Sequence, residues 1–113
     1  MFKSNSLIPL IAVLVVVAGV AARVVLRPKP TIHHVVVAWH AGAAVPGVTA
    51  VSYNVYRRTA SDAAFKKIAS RIPGFSYDDG TATGGKTYFY KVTANDQHGG
   101  ESKFSTEVKA VVP

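Results

Sequence analysis

Thr87-Tyr-Phe-Tyr-Lys-Val-Thr-Ala94 decides the fold of this chain. Aromatic and β-branched residues fill it, and strict alternation puts Tyr88, Tyr90, Val92 and Ala94 on one side. That period of two fits a half-buried strand and excludes a helix. Gly84-Gly85 leads into the stretch, and Asn95 to Gly100 leaves it as a polar, hairpin-type connection. The same grammar extends in both directions. Toward the C-terminus, Thr106 to Val112 places Val108, Ala110 and Val112 on one parity. Toward the N-terminus, Phe75 to Asp78 reads as a core strand carrying Tyr77. Val51 to Arg57 sets Val51, Tyr53 and Val55 against Tyr56 on the other face, and His33 to Trp39 aligns Val35, Val37 and Trp39. Turn clusters separate these strands, at Gly42 to Gly47 with Pro46 and at Ala60-Ser61-Asp62, which opens a short segment with Phe65 and Ile68. Short strands at similar spacing predict an all-β chain, an immunoglobulin-like two-sheet antiparallel sandwich.

The rest of the chain is of a different kind. At 113 residues there is room for one domain. From Leu7 to Ala22 no residue is charged, and only Arg23 interrupts the apolar run before Leu26. This length predicts one helix over residues 7–26 that crosses a bilayer or serves as a signal segment. Residues 1–6 form a tail, 27–31 (Arg-Pro-Lys-Pro-Thr) a stiff basic stalk, and 32–113 the sandwich. Val20-Ala21-Ala22 offers a small-residue cleavage site, but the spanning length favours a retained anchor over a cleaved signal. The net charge of +7 is concentrated around this segment, at Lys3, Arg23, Arg27 and Lys29. From Thr31 onward, six lysines and three arginines face four aspartates and two glutamates, too even a balance for a nucleic-acid partner. Arg57-Arg58 and Lys66-Lys67 read as solvated strand ends. The basic flank after the apolar run points the domain inward by the positive-inside tendency, on a slim margin. With no cysteine, disulfides and thiolate sites are excluded, and packing alone must hold the domain.

Trp39 in the first core strand, Tyr53-Asn-Val-Tyr-Arg57 in the next, and Gly85-Lys-Thr-Tyr88-Phe-Tyr90-Lys-Val92 near the end together resemble a fibronectin type III domain. Asp96-Gln-His-Gly-Gly-Glu-Ser102 and the closing Ser105 to Pro113 are similar to bacterial members of that family. The resemblance implies that Trp39 is the strand B core tryptophan and that Tyr53 and Val55 are its strand C neighbours. It also implies that Tyr88 is the tyrosine-corner residue tying the E–F connection to strand F. Trp39, Tyr53, Val55, Tyr77, Tyr88, Tyr90 and Val92 are then core. Strand A is expected to be short or missing, because Pro28 to Ile32 is too short and proline-rich, unless Arg23 to Leu26 supplies a fragment. A missing strand A would leave strand B as an open edge, available for self-association or a partner peptide.

No side-chain constellation points to catalysis. His33 and His34 are neighbours on a strand and face opposite ways, His40 faces solvent and His98 sits in a loop, so no metal site is expected. Asp78 and Asp79 cannot face each other across a substrate and instead suit hydrogen bonding to turn amides before Gly80. No cofactor is implied and the chain is not read as an enzyme. The F–G loop is the candidate contact surface, through Asp96, Gln97, His98 and Glu101. The expected function is a non-catalytic, membrane-anchored or exported interaction or spacer module at the bacterial cell envelope. Its domain would lie outside the cytoplasmic membrane, and its partner would be an unidentified protein or glycan. The alternative is a carbohydrate-binding accessory module of a secreted polysaccharide-processing system, with exposed Tyr56 or Phe89 stacking on sugar rings.

Overall fold

A computed structural model describes residues 10–18, 33–42 and 45–113. Among the described residues seven strands form: β1 (Leu10–Ala18), β2 (His33–Ala41), β3 (Ala50–Thr59), β4 (Lys66–Ile72), β5 (Ser76–Ala82), β6 (Thr87–Asp96) and β7 (Val108–Val111). They pair into a three-stranded sheet, β1-β2-β5, and a four-stranded sheet, β4-β3-β6-β7, with every pairing antiparallel. The expected two-sheet sandwich is what the described residues adopt, with no helix among them.

The core lies between the sheets and follows the period-two reading. Val35, Val37 and Trp39 of β2 meet Tyr53 and Val55 of β3, Tyr88, Tyr90, Val92 and Ala94 of β6, and Ala110 and Val112 at the end of the chain. The Trp39 and Tyr53 rings pack 5.5 Å apart in a tilted arrangement. Tyr77 is only half-buried, packed against the rim of this cluster. Val51, expected on the inward face, is 52% exposed. The β3–β6 register slips between Ala50 and Ser52, and the irregularity turns Val51 outward. Tyr88 makes the corner expected of it, accepting a hydrogen bond from the Thr83 amide at 2.9 Å.

The N-terminal run departs from expectation. Leu10–Ala18, the middle of the stretch read as a helix over 7–26, is a strand paired along β2. Val13, Val15 and Val17 stand opposite Trp39, Val37 and Val35 in the register. Valine and isoleucine dominate this segment, and their branched side chains favour extended backbone wherever an unpaired strand offers its N–H and C=O groups. Strand A is therefore present and full-length, built from residues well before the proline-rich stretch. As a result β2, expected as an open edge, is interior, with β1 and β5 on its two sides. Residues 1–9, the rest of the expected helix over 19–26 and the stalk over 27–31 lie outside the described residues. Among the described residues no helix is long and apolar enough to cross a membrane.

Candidate functional site: the outer face of the four-stranded sheet

The F–G connection divides into a staple and a contact surface. Asp96, expected as a contact residue, is buried, and its Oδ1 accepts the amides of His98 at 2.8 Å and Gly100 at 2.7 Å. Gly99 sits at φ +87°, a conformation that glycine adopts without penalty and that closes the turn. Gln97 clamps the neighbouring B–C connection: its Oε1 accepts the Thr49 amide at 2.8 Å and its Nε2 donates to the Gly47 carbonyl at 3.1 Å. His98 is exposed at the tip. Of the four loop residues, Asp96 and Gln97 thus shape the loop, and Glu101 faces the sheet.

Glu101 lands over β3 and β6, joined to Asn95 by an isolated bridge. Its Oε2 accepts from Tyr56 Oη at 2.5 Å, Thr93 Oγ1 at 2.6 Å and Asn54 Nδ2 at 3.1 Å. Burial works against ionisation of Glu101. Hydrogen bonds from Thr93 and Tyr56, the charge of Lys67 and the Asn54 amide outweigh it and hold the carboxyl below the ordinary glutamate range. Burial, reinforced by the bond to Glu101, pushes the Tyr56 hydroxyl up to about 12. Tyr56 stays a neutral donor and Glu101 an anion, so neither is poised for general acid–base work near neutral pH. Oε1 of Glu101 makes no hydrogen bond among the described residues and is left free beside the groove.

Asn54 connects this network to a strained edge. Its Oδ1 accepts the Arg71 amide at 3.2 Å, and Asn95 Nδ2 bridges Asn54 Oδ1 and Ser52 Oγ. Arg71 has φ +55°, the one non-glycine residue with positive φ among those described. It lies where β4 carries an extra residue: Tyr53 pairs with Ile72, but Val55 pairs with Ala69. Beside the bulge lies a groove of about 770 Å³, lined by Asn54, Lys67, Arg71, Asn95, Asp96 and Glu101. A second hollow of about 340 Å³ shares Glu101 and is walled by Tyr56, Lys103 and Phe104. Both volumes fall in or near the range of ligand sites, although these are open to solvent.

Beyond the groove the face is aromatic and cationic. Phe104, 49% exposed, meets Tyr56 edge-on at 4.8 Å, and Phe65 lies 6.2 Å from Phe104. Lys91 Nζ stands over Phe65 at 4.6 Å and over Phe104 at 4.9 Å. The Arg58 guanidinium covers Phe89 at 4.3 Å and Phe65 at 5.3 Å, while Lys67 approaches Tyr56 at 5.6 Å. Phe89, Arg58, Phe65, Lys91, Phe104, Tyr56 and Lys67 thus form a continuous ladder along the sheet. Outward parity on β3 and β6 foretold Tyr56 and Phe89. Phe65 and Phe104 come from connections, where no period marks them.

Two basic residues read as solvated strand ends have different fates. Arg58 joins the ladder, whereas Arg57 turns inward and bridges the sheets. Its Nη1 donates to Asp79 Oδ2 at 2.8 Å, and Asp79 is 1% exposed. Tyr90 Oη donates to the same oxygen at 2.6 Å, and Thr81 supplies its amide and hydroxyl to Oδ1. Asp79 therefore bonds the turn, as expected, and also anchors a buried ion pair that no local pattern signals. Burial opposes its ionisation, but the bonds from Tyr90, Thr81 and Arg57 hold its carboxyl below the usual aspartate range. His34 pairs with Asp78 at 2.9 Å on the opposite sheet, and His33 is buried.

No family model matches the chain. It is 48% identical over 61 residues to an amylopullulanase of Thermoanaerobacter thermohydrosulfuricus, a match covering 54% of this chain and 4% of that protein. Two solved structures superpose on 71% of the chain. One is a β-1,2-glucanase from Parabacteroides distasonis, 30% identical with a TM-score of 0.55, of which 11% is covered. The other is an Fn3-like protein from Clostridium thermocellum, 34% identical with a TM-score of 0.58, and here 77% of the neighbour is covered. With the strand order, the core tryptophan and the tyrosine corner in place, that match over most of both chains settles the assignment: the chain belongs to the fibronectin type III-like family.

Proposed function

We propose that this chain is a non-catalytic accessory module of a polysaccharide-processing system, and that it holds glycan against the outer face of its four-stranded sheet. One observation carries the reading. Tyr56 and Phe104 stand beside a groove in which Glu101 Oε1, Lys67 and Arg71 are available to sugar hydroxyls. A pyranose offers an apolar C–H face and a rim of hydroxyls, and an aromatic wall beside charged hydrogen-bonding groups complements both. The likeness to a segment of an amylopullulanase and to a β-1,2-glucanase supports a glycan context over a generic spacer. Catalysis by a carboxyl pair has no footing in the groove, because Asp96 is committed to its loop amides and Glu101 is held ionised.

The anchored-spacer reading draws on the apolar run over 7–26. Leu10–Ala18 cannot pair with β2 and cross a bilayer at once, so an anchored form would be a sandwich without β1. Affinity electrophoresis of the full chain through gels containing soluble polysaccharides tests the glycan reading. Retardation is expected, with Tyr56→Ala and Phe104→Ala each abolishing most of it. Unretarded migration in every gel overturns the reading.

A further inference from the structure

The ladder that borders the groove has a charge of its own. Arg58, Lys67 and Lys91 belong to it, and Arg71 lines the adjoining groove. Three carboxylates stand on or beside this face. Glu101 stays an anion under three neutral donors and its charge acts on Lys67, Glu107 reaches Arg58 at 3.5 Å, and Asp62 acts on Arg58 and Lys66 from the turn after β3. Lys67 and Lys91 make no ion pair among the described residues. Aromatic rings hold these cations in place without neutralising them; Lys91 keeps its charge to offer, and Lys67 shares its own with Glu101. The cation Arg57 is compensated by Asp79 and adds nothing to the charge of this outer face.

We infer that the face selects an anionic polysaccharide, one whose sugars carry carboxylates. This rests on the glycan-holding reading and narrows it. The carboxylates meet Arg58, Lys91 and Lys67 along β3, β4 and β6, and the apolar sugar faces lie on Phe104 and the ring edges between them. Preformed cation–ring contacts keep Arg58 and Lys91 ordered before binding, which lowers the entropy cost of each new ion pair. The same contacts disfavour single-stranded nucleic acid, whose successive bases each need an open ring face: Arg58 stands over Phe65 and Phe89, which leaves Phe104, 49% exposed, as the platform.

The full chain is run through gels containing polygalacturonate, pullulan or no polymer, and titrated with a poly-dT oligonucleotide. The expected result is retardation by polygalacturonate well beyond that by pullulan, largely lost when salt is raised to about 0.5 M. Two surface ion contacts predict that Arg58→Gln with Lys91→Gln weakens polygalacturonate binding roughly five- to tenfold. Lys67→Gln, at an exposed position, gives an independent reading if the double variant melts early. Salt-insensitive retardation by pullulan, equal to or above that by polygalacturonate, overturns the charge selectivity and leaves the glycan reading standing. Retardation by neither polymer overturns both. Oligonucleotide binding as tight as polygalacturonate binding overturns the assignment to a glycan.

Discussion

Replacing Asp79 tests how the two sheets are locked. Four donors converge on this carboxylate: Arg57, Tyr90 and two groups of Thr81. Asp79→Ala strands the largely buried Arg57 guanidinium without a counter-charge and leaves the Tyr90 hydroxyl, on a residue that is 0% exposed, without an acceptor. Breaking one side of such a pair costs about 3–5 kcal/mol. A domain of this size has roughly 4–12 kcal/mol in total, so the variant loses a large share of its stability. Asp79→Asn keeps the shape and one acceptor but turns an amide toward two donors, and should cost about 2–3 kcal/mol. Urea unfolding at neutral pH, followed by the fluorescence of the sole tryptophan, Trp39, reads both. The pH dependence has a definite sign. Asp79 has a folded pKa below its ordinary 3.8, so its contribution is complete above about pH 4 and fades as the pH falls through the depressed value. The wild type should therefore lose stability in acid over an interval where Asp79→Asn is flatter. A wild-type urea midpoint for Asp79→Asn, or a coupling to Arg57→Met below about 0.5 kcal/mol, refutes the lock.

Other perturbations probe different parts of the fold. Tyr88→Phe deletes the acceptor for the Thr83 amide and should lower stability by about 1 kcal/mol with an unchanged urea slope. Arg71→Gly, at φ +55°, should leave the melting temperature equal or higher, whereas Arg71→Val should cost about 1–2 kcal/mol; equal losses for both would show that the bulge carries no backbone strain. Removing residues 1–18 takes β1 away and should lower the melting temperature or yield dimers in ultracentrifugation. A monomer of undiminished stability would mean that β1 adds nothing.

What the sequence made legible was whatever a period of two can encode. Tyr88, Tyr90, Val92 and Ala94 all face the core, as do Val35, Val37 and Trp39, because each strand carries its own inside and outside. Where the period breaks, legibility ends. A bulge turned Val51 outward, and no local signal announces a bulge. Leu10–Ala18 has no alternation, and an uninterrupted apolar run reads equally as a membrane helix or a buried strand until its neighbour is known. The outer site was visible only in part. Tyr56 and Phe89 follow from parity, but the convergence of Asn54, Thr93 and Glu101 depends on the β3–β6 register and on how the F–G loop folds back. Asp79 and Arg57 are far apart in sequence on different sheets, and only the closed sandwich brings them together.

Among the described residues the sheet order leaves four outermost strands: β1 and β5 in one sheet, β4 and β7 in the other. Three of them are defended against pairing with foreign chains. β4 is bent by its bulge and carries Lys66 and Lys67, β7 is only four residues long with Lys109 in it, and β5 has the inward-pointing charge of Asp79. β1 has no such defence, since Leu10–Ala18 contains neither charge nor proline. Of these four, β1 is the edge at which strand addition would meet least resistance. A second copy laid antiparallel there would close on a two-fold axis and fuse two three-stranded sheets into one continuous sheet, a finite assembly rather than a fibre.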